Sequence, residues 1–276
     1  MTSAERLTSR ARHGGHREVL PELLALATDP AARPDPAWEA GAAAVQILCW
    51  EDRFAEAGEL AELLIERQGP DGGDLCDQDV PFDEAFLVAQ LYAGVPAQPR
   101  LRAAAARVPE GRILRDRLLW LAEQLDLRPV EWLLPCHYDW GGPLVPREGV
   151  IGEWLLGREF AALAPREKRV AWEAVARTND FARARGLVES LGELPEQYYL
   201  CLWLAGWYAV EGDVEGGERM LLAAHERWWP YMRWDAIPTS EVVQPTLRRV
   251  VTDRVREHFL TRPIGPEAAA LATRTE

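Results

Sequence analysis

Asn179-Asp180-Phe181-Ala182-Arg183-Ala184 and Gly212-Asp213-Val214-Glu215-Gly216-Gly217 read as two versions of one helix-turn-helix junction, and Phe181 and Val214 stand 33 residues apart. Repeats of about 34 residues, each built from two antiparallel helices, stack side by side because neither pair can bury its apolar face alone. Arrays of this kind usually bind other molecules instead of transforming them.

Working outward from these junctions, helical periodicity dominates and no alternating strand pattern is read. Val19, Leu20, Leu23, Leu24 and Ala27 form one stripe of a first helix over Arg17 to Ala27, which the Pro-rich stretch Asp29 to Pro36 ends. A pair from Ala37 to about Gln68 breaks near Asp52-Arg53-Phe54. An amphipathic helix from Arg112 to Leu127 is expected to pack Leu114, Leu118, Leu121 and Leu125 inward, together with Trp120. Pro129, Pro135, Pro143 and Pro146, with Gly141, Gly142 and Gly149, make 129–149 a break. Pairs resume over Arg166–Leu191 and Pro195–Trp229, and a last helix is expected from Glu241 to Leu260. The organisation is therefore a disordered amino terminus (1–16), an amino-terminal helical region (17–128), the break (129–149), a carboxyl-terminal helical region (150–263) and a tail (264–276).

The clearest unit sets Leu204, Ala205 and Tyr208 before the Gly212-Asp213 turn and Gly217, Leu221 and Ala224 after it, with Pro230 beyond. The preceding unit offers Ala171, Val175, Phe181, Ala184, Val188 and Leu191, but has bulky Trp172 where a small residue is expected. A third copy reads Ala44, Val45, Leu48, Phe54, Ala57, Ala61 and Leu64. These residues resemble the tetratricopeptide repeat family. The resemblance implies an all-α fold, with antiparallel helix pairs stacked as a TPR-like α-solenoid. It also implies a concave groove, lined mainly by first helices, that binds a peptide or partner protein, and it transfers no catalytic residues. Phe54 lies 127 residues before Phe181, no multiple of the repeat, so the middle of the array is divergent.

The formal net charge of −13 disfavours a phosphate backbone, since nonspecific nucleic-acid affinity comes from basic side chains displacing counterions. The expected partner is thus a protein or peptide, not a nucleic acid. Ala40 to Trp50, the most apolar stretch, is about half the roughly 20 residues a membrane span needs and is interrupted by Gln46. No membrane association and a cytoplasmic location are expected. Cys49, Cys76, Cys136 and Cys201 lack paired spacing, which points to reduced thiols. No cofactor motif and no metal-ligand pattern is read. The carboxylates Asp71, Asp74, Asp77, Asp79, Asp83 and Glu84 lack the order of a calcium loop and are expected to be solvated. His13-Gly14-Gly15-His16 would hold a metal only weakly.

The chain carries 12 tryptophans. Burying one removes on the order of 200 Å² from water, worth about 5 kcal/mol at most, so core is the default for each. Trp203 and Trp207 share a helix face and are assigned to packing. Candidate partner-binding residues come from the two aromatic stretches that the repeat does not explain. In the break these are Trp132, His137, Tyr138, Asp139 and Trp140. After the second unit they are Trp228, Trp229, Tyr231 and Trp234, where adjacent helical positions point about 100° apart and are hard to hide together.

The function expected from the residues is a noncatalytic adaptor or scaffold that binds through the repeat groove. One alternative is an acidic immunity or antitoxin protein that occludes a basic toxin. Another is an enzyme with a site around His137 and Asp139, which would need further groups to converge on them.

Overall fold

The computed structural model describes residues 2–67, 82–134, 146–230 and 232–265, with side chains from 150 onward in the helix that opens the third of these stretches. The helices are α1 (Ser3–Arg10), α2 (His16–Thr28), α3 (Pro34–Trp50), α4 (Phe54–Arg67), α5 (Phe82–Ala93), α6 (Ala97–Arg107), α7 (Ile113–Leu127), α8 (Pro146–Leu156), α9 (Pro165–Arg177), α10 (Phe181–Leu191), α11 (Tyr198–Glu211), α12 (Val214–Arg227), α13 (Ser240–Val243), α14 (Pro245–Arg248) and α15 (Asp253–Thr261). No strand occurs among the described residues, so the fold is all-α.

The three junctions quoted above share one backbone. Asp52, Asn179 and Gly212 take φ of +59°, +52° and +76°. The next N–H in each reaches a carbonyl five residues back: Arg53 to Leu48 at 2.9 Å, Asp180 to Val175 at 3.1 Å and Asp213 to Tyr208 at 2.9 Å. Only glycine, asparagine and aspartate enter this left-handed region readily, which explains the residues found there. Asp180 and Asp213 then cap the following helices, accepting from the N–H of Arg183 at 3.1 Å and of Gly216 at 2.8 Å.

Two compact units form: Met1–Pro135 with Trp229–Pro245 and Arg256–Glu276, and Cys136–Trp228 with Thr246–Val255. The carboxyl-terminal region 150–263 is thus not one unit, because its stretch 229–245 bonds into the amino-terminal helices. In the first unit α3 is central, packed by α1, α2, α4 and α5, and every residue from Ala37 to Trp50 is buried. Its run of alanines and Gly41 keeps neighbouring backbones close; a Cβ at Gly41 would collide with the Leu64 side chain. In the second unit α11 has the same role, with Leu200 to Gly206, Tyr208 and Ala209 buried among α9, α10 and α12. Phe181 stacks on Trp207 at 5.6 Å and meets Tyr208 edge-on at 5.2 Å, so the junction residue ties α10 to α11. Trp172, the departure from the repeat pattern, is buried with Phe160 edge-on to it at 6.0 Å.

Three expectations are corrected. The amino terminus is not disordered: Thr2 and Glu5 form a capping box that starts α1, and Ala4, Leu7 and Thr8 are buried. The final helix is not continuous from Glu241. Pro245 has no N–H to continue α13, and it biases Gln244 to an extended backbone, ψ 122°. Trp120 does not pack inward, for the reason given next.

Candidate functional site

The inner face of α7 carries Leu114, Leu118, Leu121 and Ala122, all buried. Trp120 lies two residues from Leu118, about 200° round the helix, and one residue from Leu121, about 100° away. It therefore emerges on the far side and is 54% exposed. Ile113 and Leu127, seven residues to either side of it, are 59% and 75% exposed, and Trp132, just past the helix, is 76% exposed. A single exposed apolar residue needs no explanation. Three at a seven-residue spacing lie within about 40° of one another on the helix, which makes a stripe.

The charged neighbours differ in whether they are bonded. Arg117 pairs with Asp83, and Arg115 donates to the Val108 carbonyl at 3.4 Å. Asp116 and Glu123 stay exposed, with no ion pair among the described residues. The outer face of α7 is thus apolar and acidic. It offers hydrophobic burial and negative charge. No cluster of three or more metal-ligating side chains occurs among the described residues.

The aromatic run after the second unit has a different fate. Trp228 and Trp234 are buried, so neither is a free surface for a partner, and among the described residues of the run only Trp229 is exposed, at 57%. Trp234 sits in a network that pins 232–243 to the amino-terminal helices. Arg12 donates to the carbonyls of Met232 at 3.0 Å and Arg233 at 2.9 Å, and also to that of Asp235. Gln46 accepts from the N–H of Ala236 at 2.7 Å and Ile237 at 3.4 Å, while its amide donates to Asp235 at 3.1 Å. The Trp50 indole donates to the Pro238 carbonyl, and the Tyr92 hydroxyl to that of Val243 at 2.6 Å. Buried Glu39 pairs with Arg233; desolvation raises its pKa and Arg233 opposes the rise.

His16 is fully buried, with Nδ1 at 3.0 Å from the Leu260 carbonyl and Nε2 at 3.2 Å from that of Ala236. Desolvation lowers its pKa to about 4 although both carbonyls favour the charged form. Gly14, with φ +92°, lies where a Cβ would strike the Thr261 carbonyl. The His13-Gly14-Gly15-His16 stretch is therefore a packed turn, not a loose terminal one.

Of the candidates read from sequence, Trp132 and Trp229 are exposed, and Trp228 and Trp234 are core. His137, Tyr138, Asp139, Trp140 and Tyr231 lie outside the described residues, as do Asp71, Asp74, Asp77 and Asp79. Asp83 and Glu84 are bonded, Glu84 accepting from the Thr239 hydroxyl at 2.9 Å. A groove walled by first helices is not what α3 and α11 offer, since both are buried on nearly all sides.

Ile113, Asp116, Glu123 and Leu127 are not singled out by composition, and Trp120 is expected in the core. Their signal is a seven-residue spacing opposite the leucine stripe. No helix among the described residues is long and apolar enough to cross a membrane. Comparison with protein-family models, with curated proteins and with solved structures gives no match.

Proposed function

We propose that this chain is a protein-interaction module, an adaptor or scaffold, whose binding face is the outer side of α7 with Trp132 beside its end. One observation carries the reading: the exposed apolar side chains of α7 are aligned on one edge, opposite the buried face of Leu114, Leu118, Leu121 and Ala122, with Leu125 only half-buried. Aromatic anchors on exposed faces are the side chains that most often dominate protein association. The tetratricopeptide-like pairing supplies the scaffold in this proposal and α7 supplies the contact.

A partner retained by the immobilised wild-type chain from its native extract should be lost with Trp120→Ala or Leu127→Ala at an unchanged unfolding midpoint. Retention by both variants would move the binding face elsewhere. The second reading, an acidic immunity protein that covers a basic toxin, draws on Asp116 and Glu123. It uses the same face and predicts that the retained partner is itself toxic to the cell.

A further inference from the structure

Asp116 and Glu123 alternate with Ile113, Trp120 and Leu127 in steps of three and four residues. All five fall within an arc of about 80° at 100° per residue. Seven-residue recurrence of apolar groups is the spacing at which a second helix packs alongside, its side chains entering the gaps between them. The carboxylates in those gaps face outward, while Arg115 and Arg117 turn to partners within their own unit. A helix lying along this edge must therefore bring apolar groups to Ile113, Trp120 and Leu127 and cations to Asp116 and Glu123.

Resting on the reading of α7 as the binding face, we infer that its occupant is an amphipathic helix of a partner protein, with aliphatic residues every seventh position and Arg or Lys between them. A second copy of this chain fits worse. Parallel pairing sets Asp116 on Asp116 and Glu123 on Glu123, and antiparallel pairing about Trp120 brings Asp116 beside Glu123. Like charges brought together at such a seam select against that pairing.

Two synthetic helical peptides of about three heptads test the inference. One carries Leu at every seventh position with Arg at the intervening seam positions, and the other has Glu in place of each Arg. Fluorescence anisotropy with the full chain should show the Arg peptide binding at least about tenfold tighter, with the advantage shrinking at about 1 M salt. Trp120→Ala should weaken the Arg peptide about tenfold or more. Asp116→Lys with Glu123→Lys should reverse the preference, at a wild-type urea midpoint that excludes misfolding.

Equal binding of the peptides, or preference for Glu, overturns the inference. If neither peptide binds while the native partner still needs Trp120, the helix inference fails and the binding face stands. If the native partner is indifferent to Trp120, the binding face itself fails. A concentration-dependent dimer broken by Trp120→Ala would assign the edge to a second copy and overturn the proposal.

Discussion

Trp120 and Leu121 are covalent neighbours on α7 that occupy opposite media, the indole 54% exposed and the leucine 3% exposed. The helical step of about 100° separates them, and the buried stripe leaves no room for both. That separation makes Trp120 available to a partner while Leu121 belongs to the fold.

Truncating each side chain should show the difference. Trp120→Ala is expected to change unfolding free energy by no more than about 0.5 kcal/mol, as surface substitutions do. Leu121→Ala should cost about 2–5 kcal/mol through lost burial and the cavity left behind. Urea unfolding of both variants is the check, and a loss in Trp120→Ala as large as in Leu121→Ala would put the indole in the core.

Gln46 is the buried polar residue that fixes 235–237. Gln46→Leu keeps the side chain's bulk but leaves the Ala236 and Ile237 N–H groups without their acceptor. An unsatisfied buried donor costs about 1–3 kcal/mol, so the variant should lose at least that much stability. Hydrogen exchange at the Ala236 amide should accelerate by the same free energy if 235–237 opens locally; unchanged exchange would show that Gln46 does not hold it.

Two buried groups give opposite pH slopes. For His16, the folded pKa of about 4 lies below the ordinary 6.5. As pH falls from 6.5 to about 4 the unfolded ring takes a proton that the folded one refuses, and stability is lost, by about 3 kcal/mol in full. Glu84 keeps some exposure as a residue, yet desolvation pushes its carboxyl up to about 7, against the Thr239 hydroxyl and Arg117, which favour the charged form. From pH 4.5 to about 7 its unfolded form ionises while the folded form holds its proton, so stability is lost as pH rises. Glu84→Gln should therefore steepen the loss of stability between pH 6.5 and 4.5 relative to wild type. Parallel urea-midpoint profiles for the two proteins would contradict the assignment.

The repeated junction makes its own prediction. Asp213→Ala removes the acceptor for the Gly216 N–H and should cost about 1 kcal/mol. Gly217→Ala should cost about 1–3 kcal/mol, because the added methyl meets the Val250 side chain. Thermal unfolding of both variants measures these losses, and a neutral Gly217→Ala would show that the Val250 contact has room to yield.

Much of the helical layout was legible in the sequence, because caps, turns and apolar periodicity are local. Asp52, Asn179 and Gly212 could be matched from sequence, since the left-handed turn accepts few residue types. The apolar faces of α3 and α11 were also legible, but not that both helices are enclosed on nearly every side, which depends on what packs round them. Gln46 looked like an interruption of an apolar stretch, and its role appears only when 235–237 arrives from 190 residues away. The same long-range contacts hide Trp234. Trp120 was a different kind of miss. Its spacing from Leu118 places it outside the leucine stripe, and the bulk of an indole does not by itself imply burial.

The most direct test of the α7 face is site-specific photo-crosslinking in the cell that makes the protein. A benzophenone side chain would replace Trp120 in one variant and Glu18, exposed on α2, in another. The expected result is a discrete covalent adduct from position 120, absent from position 18, with the crosslink mapping to a basic amphipathic segment of a partner protein. No adduct from position 120, or the same adducts from both positions, would contradict it.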